Sequence, residues 1–377
     1  MPSHIMVLVG TRPEVIKMAP VVMALRRRNL ECTLVSTGQH REMLAQTLAV
    51  FDLEPDEDLA VMRENQQLPE LTARLIEGLV GLYRKRRPEV VLAQGDTTTV
   101  LAGALAAFYE RIPLGHVEAG LRTGDFNAPW PEEMNRCLAD RIATWCFAPT
   151  DRARDNLLAE GVDASRVSVT GNTVIDALLW VREKVSEHTP ELPAAVVDVV
   201  GRTRTILVTA HRRESFGEGF ERICRALLRI VERFDDVAVI YPVHLNPNVR
   251  EPVNRLLDGH DRIRLVEPMD YEAFVWLMDH AQVVLTDSGG VQEEAPSLGK
   301  PVLVMRDVTE RPEGVAAGTA RLVGTDVDRI CEEVSALLED ASEYDRRAQI
   351  ANPYGDGCAA ERIVERLSCR RSTSLKS

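Results

Sequence analysis

The segment from Thr286 to Gly299, TDSGGVQEEAPSLG, combines residue types that can bind a phosphate group. Apolar residues at 283–285 predict a strand, and Ser-Gly-Gly and the residues after it predict a tight turn into a helix. Free backbone N–H groups and the helix dipole converge at such a turn, which favours an anion. Glu293 and Glu294 would repel a phosphate there, so we expect one of them to have another partner.

Carboxylates occur in three further motifs that can support acid–base chemistry: Asp96 in QGDTTTV, Glu118 in HVEAG and Glu132 in PWPEEMNR. A positioned carboxyl group can remove or supply a proton. Two of them also have ordinary structural explanations. Asp96 suits a helix N-cap, and Glu132 and Glu133 suit the first turn of a helix. Glu118 stands between Val and Ala-Gly, which leaves room for a ligand.

Cationic residues follow several predicted strands. Arg12 and Lys17 in GTRPEVIK are either solvated surface cations or anion ligands, and the spacing fits both. His211 ends the run ILVTAH and precedes Arg212 and Arg213, which is unusual for a histidine of the core. GTRPEVIK has one glycine rather than G-x-G-x-x-G, which argues against a nicotinamide or flavin cofactor. No His or carboxylate spacing is typical of a metal site, so we expect no metal.

The elements that would position these residues follow an α/β pattern. Short β-rich runs alternate with amphipathic stretches, which indicates parallel sheets with crossover helices. The predicted strands are 5–9, 32–36, 89–93, 113–117, 143–147, 205–209, 237–241, 262–266, 282–286, 301–305 and 320–323. Ligands of doubly wound sheets bind at the carboxyl ends of the strands, where the motifs above lie. A less regular stretch at roughly 180–203 separates two groups of strands, which predicts two doubly wound domains facing a cleft.

Composition sets limits on the class of protein. A chain of 377 residues exceeds the usual single core, so two domains are expected. A net charge of −13 disfavours a nucleic-acid partner. No apolar run approaches the roughly 18 residues of a membrane span, so we expect no membrane association. Seven scattered cysteines without C-x-x-C indicate a reducing compartment, which predicts a cytoplasmic protein.

Long motifs together resemble one known family. GTRPEVIKMAP, QGDTTTVLAGALAAFY, HVEAGLRTGD, PWPEEMNR, VTGNTVIDALLWV, HRRESFG, YPVHLNPNVREPVNR, TDSGGVQEEAPSLGKPVLVMRDVTERPE and NPYGDGCAAERI are similar to the non-hydrolysing UDP-N-acetylglucosamine 2-epimerases of bacteria. The resemblance extends from about residue 5 to 365. It implies a GT-B type fold of two Rossmann-like domains, with a C-terminal helix at about 358–377 that packs back on the first domain. The strand pattern itself places the domain boundary near VTGNTVIDAL, which gives domains of residues 1–170 and 171–357.

The resemblance also implies an activity, EC 5.1.3.14. Such enzymes interconvert UDP-GlcNAc and UDP-ManNAc without a cofactor, and supply ManNAc-type sugars for cell-surface polysaccharide. The C2–H of the sugar has no adjacent carbonyl group to acidify it. Elimination of UDP to 2-acetamidoglucal, followed by re-addition, therefore explains the inversion better than direct deprotonation. The resemblance further implies a homodimer.

Residue roles carried over from the family fall into three sets. The implied catalytic residues are Asp96, Glu118, Glu132 and His211. The implied substrate-binding residues are Arg12, Lys17, Asp96, Glu118, His211, Met269, Phe274, Ser288, Gly289, Gly290, Glu294 and Arg311, with the serine and glycines on the diphosphate and Glu294 on the ribose. A second, activating UDP-GlcNAc site is implied at Gln39, Arg63, Arg212 and His244.

Some positions keep a second interpretation. Glu293 receives no role from the family and is expected to be solvated or structural. Phe274 matches a uracil contact, yet its spacing with Trp276 and Met278 also fits a helix core. Met269 stands where some relatives have Gln, and Glu42 replaces Gln in the activating segment. A retaining glycosyltransferase, a hydrolysing epimerase and a non-catalytic nucleotide-sugar sensor are the alternative functions.

Overall fold

The computed structural model describes residues 2–38, 41–61 and 66–368. The chain divides into two compact units, Met1–Ala177 with the stretch from Gly355 onward, and Leu178–Tyr354. This division falls at 177 and 355, and the limits predicted from the sequence are 170 and 357. Each unit has its own parallel sheet.

The first unit contains a seven-stranded sheet in the order β3-β2-β1-β4-β5-β6-β7. Its strands are β1 His4–Val9, β2 Glu31–Ser36, β3 Glu57–Asp58, β4 Val90–Gln94, β5 Leu114–Val117, β6 Trp145–Ala148 and β7 Val167–Val169. The strand order reverses between β1 and β4, which pair in parallel. Ligand sites of doubly wound sheets lie beside such a reversal, at the carboxyl ends of the strands.

Helices connect these strands in crossover units. They are α1 Arg12–Arg27, α2 Arg41–Val50, α3 Leu68–Arg86, α4 Thr98–Tyr109, α5 Glu132–Ile142, α6 Asp151–Ala159, α7 Thr173–Glu187 and, at the C-terminal end, α16 Ala359–Ser368, with a 3₁₀ turn at Ala164–Arg166. Helix α7 begins in the first unit and ends in the second. The central strands β1 and β4 are buried along their whole length, as expected for a sheet covered by helices on both faces.

The second unit contains a six-stranded parallel sheet in the order β10-β9-β8-β11-β12-β13. Its strands are β8 Arg204–Thr209, β9 Val237–Pro242, β10 Ile263–Val266, β11 Val283–Thr286, β12 Val302–Val304 and β13 Ala320–Leu322. Its helices are α8 Ala194–Val197, α9 Glu218–Arg233, α10 Pro247–Leu257, α11 Tyr271–His280, α12 Gly289–Glu294, α13 Pro312–Ala317, α14 Val327–Glu339 and α15 Ala341–Ala348, with 3₁₀ turns at Arg213–Ser215 and Ala295–Leu298. The order reverses between β8 and β11.

All eleven predicted strands are present, and two short strands were not predicted. Strand β3 consists of two acidic residues, Glu57 and Asp58, whose side chains have low strand propensity. Strand β7 is the three-residue edge VSV. Neither segment has the apolar run on which the prediction depended.

Helix α16 belongs to the first unit through specific bonds. The backbone N–H groups of Ala359 and Ala360 donate to the two carboxylate oxygens of Asp176, at 3.2 and 2.8 Å. Glu361 also pairs with Arg27 and Arg28 at the end of α1, at 2.7 Å each. None of the helices within the described ranges has the length and apolar character that a membrane crossing requires.

Candidate active site

The predicted carboxylates of the first unit lie on neighbouring loops. Strands β1, β4 and β5 are adjacent and parallel, so their carboxyl ends meet at one edge of the sheet. Asp96 follows β4 by two residues, and Glu118 follows β5 directly. Glu132 is the first residue of α5, the helix that follows the β5 loop. The geometry therefore brings these loops together as the sequence predicted.

Glu118 is held in an uncommon backbone conformation. Its φ is +64°, in the left-handed region that side chains other than glycine rarely adopt. The carboxylate accepts hydrogen bonds from Lys17 Nζ at 2.8 and 2.5 Å and from the amide of Gln94. Only 15% of the Lys17 side chain is exposed, so the interpretation of Lys17 as a solvated surface cation is wrong. The cation instead stabilises the ionised form of Glu118.

Asp96 does not cap a helix. The N-cap of α4 is Thr97, and the Asp96 side chain pairs with Arg136 of α5. Asn135 Nδ2 donates to the backbone oxygen of Asp96 at 2.9 Å. The capping interpretation of Asp96 is therefore wrong, because α4 begins one residue later than that interpretation required. Both bonds come from α5, so this helix fixes the position of the Asp96 loop.

The two glutamates of PWPEEMNR differ in their surroundings. Glu133 is buried, and its Oε1 accepts the N–H groups of Thr123 and Gly124 at 2.9 and 3.0 Å. Glu132 is half-buried and forms no hydrogen bond or ion pair with any described residue. Glu133 thus has the structural role that the sequence allowed for one of the pair, and Glu132 remains available for chemistry.

Glu14 is a buried carboxylate that the sequence prediction missed. It accepts the N–H groups of Gly10 and Thr11 at 2.6 and 2.7 Å, and the hydroxyl of Thr97 at 2.5 Å. Burial raises the pKa of Glu14, while these hydrogen bonds act in the opposite direction. Thr11-x-x-Glu14 is a capping box, a pattern that was visible in the sequence. Glu14 therefore ties the loop after β1, next to Arg12, to the loop that carries Asp96.

In the second unit, Asp287 organises the turn after β11. Its Oδ2 accepts the backbone N–H groups of His211 and Arg212, both at 2.7 Å, so the loop after β8 is tied to the loop after β11. The hydroxyls of Thr209 and Thr286 are 2.6 Å apart at the ends of the same two strands. Ser288 is the N-cap of α12, and Gly289 and Gly290 form its first turn.

Two guanidinium groups flank this turn. A Cβ atom placed on Gly289 would lie 3.8 Å from Cζ of Arg311 and 3.9 Å from Nη2 of Arg212. Arg212 Nε is buried without a hydrogen-bond partner among the described residues, so this group has a donor left for a ligand. The first N–H groups of a helix also lack intrahelical partners. The turn therefore presents the local positive site that an acidic protein needs to bind an anion.

The two glutamates beside the turn both have partners within the second unit. Glu293 is buried and accepts a hydrogen bond from Arg311 Nε. The expectation of a solvated Glu293 is therefore wrong, and its structural alternative holds. Glu294 Oε1 accepts the hydroxyl of Tyr271 at 2.8 Å. The electrostatic repulsion expected between Glu293 and a bound phosphate is therefore reduced, because Arg311 provides a counter-charge for Glu293.

Neighbouring groups act on the pKa of His211 in opposite directions. Its Nδ1 lies 3.2 Å from Asp287 Oδ1 without forming a hydrogen bond, and its ring stacks on His244 with centroids 5.5 Å apart. Burial lowers the pKa of His211, and the charges of His244 and Arg212 lower it further, against the opposite effect of Asp287. A bound anion would reverse this balance by favouring the imidazolium form.

The remaining predicted residues are placed as follows. Met269 is half-buried in the loop before α11, and Phe274 is half-buried on α11 itself. Of the implied activating site, Gln39 and Arg63 lie outside the described residues. Arg212 and His244 lie beside Gly289 and His211, respectively, so these two belong to the same local cluster as the predicted diphosphate ligands.

The fold and these two groups of residues define a class of enzyme. It has two parallel doubly wound sheets, with a group of carboxylates on the loops of one sheet and a glycine turn flanked by cations on the other, which suits a phosphate-bearing substrate. The UDP-N-acetylglucosamine 2-epimerase family matches residues 23–368. The chain belongs to this family.

Individual relatives extend over the whole chain. A UDP-N-acetylglucosamine 2-epimerase from Escherichia coli strain K12 is 56% identical over 371 residues, which are 97% of this chain and 99% of that protein. A crystal structure from Listeria monocytogenes has a TM-score of 0.91 and 46% identity, and covers 98% of this chain and 96% of that one. The UDP-GlcNAc 2-epimerase from Neisseria meningitidis, solved with UDP-GlcNAc bound, has a TM-score of 0.87 and 46% identity, and covers 97% and 100%. These relatives confirm the predicted GT-B type fold.

Proposed function

We propose that this chain, as an enzyme of EC 5.1.3.14, interconverts UDP-GlcNAc and UDP-ManNAc by eliminating UDP and adding it back. In the forward step a carboxylate removes the C2 proton while the C1–O bond to UDP breaks, which leaves 2-acetamidoglucal. In the return step UDP re-forms the C1–O bond, and a carboxylic acid delivers a proton to C2 on the opposite face. Atoms and electrons balance without an oxidant or reductant.

The observation that carries this proposal is the convergence of Asp96, Glu118 and Glu132 on neighbouring loops. Inversion through an elimination needs a base on one face of C2 and an acid on the other, and carboxylates from separate loops suit these two tasks. A retaining glycosyltransferase would need no such set around C2. Glu118 pairs with Lys17 and Asp96 pairs with Arg136, so each of these two carboxyl groups is held in place by a cation.

Residues of the second unit, together with the cations Arg12 and Lys17 of the first, bind UDP in this proposal. Ser288, Gly289 and Gly290 hold the diphosphate with Arg311, and Arg12, Lys17 and His211 add positive charge. Each stabilises the negative charge that develops on UDP as the C1–O bond breaks. Glu294 accepts hydrogen bonds from the ribose, and Met269 and Phe274 contact the uracil.

Further parts of the proposal rest on the family resemblance. These are a homodimer, activation by a second UDP-GlcNAc through Gln39, Arg63, Arg212 and His244, and a role in supplying ManNAc-type sugars to cell-surface polysaccharide. The proposed cytoplasmic location rests instead on the number and spacing of the cysteines.

The test is to incubate the purified protein with UDP-GlcNAc alone and to follow the products by proton NMR. We expect UDP-ManNAc to accumulate to a constant ratio with UDP-GlcNAc. A hydrolysing epimerase would release free ManNAc and UDP, and a sensor would leave the substrate unchanged. Either result would refute the proposal.

A further inference from the structure

A fully buried ion cluster lies beneath the carboxylate loops of the first unit. His116, on β5, is not exposed at all, and neither is Asp140 of α5. Nδ1 of His116 lies 2.6 Å from Asp140 Oδ1, and Nε2 lies 2.7 Å from the backbone oxygen of Gly95. Asp140 Oδ2 accepts a further bond from Arg122 Nη2 at 2.8 Å, and Arg122 in turn pairs with Glu160.

Both nitrogens of the His116 ring face oxygen acceptors. A neutral imidazole has one donor and one lone pair, so it would leave a lone pair against either Asp140 or Gly95. The imidazolium donates to both and is therefore the form that this geometry requires. Burial lowers the pKa of His116, but the charge and hydrogen bond of Asp140, with smaller contributions from Gly95 and Asp96, outweigh it and raise that pKa. Burial raises the pKa of Asp140, and His116 and Arg122 more than reverse this effect.

The cluster bonds directly to each element that carries a candidate catalytic carboxylate. Through His116 it holds the backbone oxygen of Gly95, the residue before Asp96. Through Asp140 Oδ2 it holds the N–H of Gly120, two residues after Glu118, at 3.2 Å. Asp140 itself lies on α5, which begins at Glu132. One buried pair thus connects three loops that are separate in sequence.

We propose that His116 and Asp140 are positioning residues, which as a cation–carboxylate pair fix the loops of Asp96, Glu118 and Glu132 relative to one another. This inference rests on the proposed function of those carboxylates. Proton transfer at C2 depends on placement, and a misplacement of about 1 Å can reduce a rate by about 100-fold. A buried ion pair contributes little net stability, because replacing both residues with apolar ones often gives an equally stable protein. The hydrogen bonds that the pair makes to the loops on either side, however, fix the positions of those loops.

The first experiment is an NMR measurement on the wild-type protein labelled with ¹⁵N-histidine at pH 8. We expect both ring nitrogens of His116, assigned by loss of the signals in His116→Gln, to carry slowly exchanging protons. A single protonated nitrogen would overturn the inference. This measurement requires no turnover, so it decides the state of His116 even if the epimerase reaction is not observed.

The second experiment compares two amide substitutions of His116, each of which can replace one of the two ring nitrogens. Asn at position 116 places its N–H₂ near the Nδ1 position and keeps the bond to Asp140, whereas Gln reaches the Nε2 position and keeps the bond to Gly95. Because Gly95 precedes Asp96, we expect His116→Asn to lower kcat by about 100-fold and His116→Gln by about 10-fold, with KM and UDP affinity within about threefold of the wild type.

His4→Asn is the matched control. His4 is a buried histidine on β1 whose ring bonds to Thr33 at 2.8 Å, with no bond to a carboxylate loop. We expect this variant to lose thermal stability but to keep its kcat per folded molecule. The inference is overturned if folded His116→Asn keeps a kcat within about threefold of the wild type, or if KM rises as much as kcat falls. Absence of turnover in the wild type would instead refute the proposed function.

Discussion

One added methyl group in the glycine turn of the second unit should change ligand binding without lowering stability. In Gly289→Ala, the new Cβ would lie 3.8 Å from Cζ and Nη2 of Arg311 and 3.9 Å from Nη2 of Arg212. These are ordinary van der Waals distances, so the folded protein accommodates the methyl group. Gly289 is the first residue of α12, where Ala keeps at most part of the roughly 0.5–1 kcal/mol by which it is favoured over Gly in helix interiors. We therefore expect unchanged or slightly higher stability.

Binding of UDP should respond in the opposite direction. A phosphate oxygen that accepts a backbone N–H of this turn at about 2.9 Å and also contacts both guanidinium groups would lie close to the added methyl group, which is itself 3.8–3.9 Å from both groups. Displacement of that oxygen removes at least one charged hydrogen bond, which contributes about 1.5–3 kcal/mol. The expected result is a Kd for UDP that is roughly 10- to 150-fold higher than in the wild type.

Calorimetric titration with UDP and thermal unfolding of the same samples measure the two effects. Gly81→Ala is the matched control, because Gly81 is an exposed residue of helix α3 with no atom within 4 Å of its added Cβ. It should gain stability without any change in UDP affinity. A Gly289→Ala protein that binds UDP within about threefold of the wild type would show that the diphosphate does not bind at this turn. A clear loss of stability would contradict the packing distances.

Three further predictions concern buried and half-buried charges. Glu132→Gln should lower kcat by roughly 10²–10⁴ with unchanged thermal stability, whereas Glu133→Gln should lower the free energy of unfolding by about 1–2 kcal/mol because two N–H groups lose charge-assisted bonds. Equal effects of the two changes in either assay would contradict the assignment. Glu293→Gln should destabilise the second unit by about 1–3 kcal/mol in chemical unfolding, because Arg311 loses its buried counter-charge, and an unchanged midpoint would show that the pair contributes nothing. Burial raises the pKa of Asp176 from 3.8 to about 6, so its contribution to stability is complete below pH 3.8 and is lost as the pH rises through 6. The unfolding free energy of the wild type relative to Asp176→Asn should therefore fall by about 2–3 kcal/mol between pH 4 and pH 7, and a constant difference would contradict the raised pKa.

The strand ends that carry the candidate site residues could be predicted from the sequence, because strand ends are recognisable. Apolar runs such as 5–9 and 282–286 are bounded by glycine-containing turns, and the parallel α/β pattern implies that their carboxyl ends share an edge. Asp96, Glu118 and the Ser288–Gly290 turn follow from that reasoning. The helix boundaries were less certain, and an error of one residue gave Asp96 the capping role that Thr97 has.

The partners of the charged residues could not be predicted from the sequence. Lys17 and Glu118 are 101 residues apart, and they meet because β1, β4 and β5 are neighbours in the sheet and α1 packs above them. The pairs Asp96–Arg136 and Glu293–Arg311 likewise depend on how helices pack against loops. Periodicity does not encode these contacts, so the sequence did not identify Arg311 as the partner of Glu293. The contact of His116 with the backbone oxygen of Gly95 likewise depends on the pairing of two adjacent strands.

The most direct test of the central claim is conversion of UDP-GlcNAc in D₂O without added cofactor, with C2 of the product analysed by mass spectrometry. If UDP is eliminated and re-added, the C2 proton passes through a carboxyl group that exchanges with solvent. We therefore expect UDP-ManNAc to carry deuterium at C2, with small amounts of free UDP and 2-acetamidoglucal after long incubation. Converted product that keeps its original protium at C2 would contradict the elimination mechanism and favour a hydride mechanism, which returns the original hydrogen to C2.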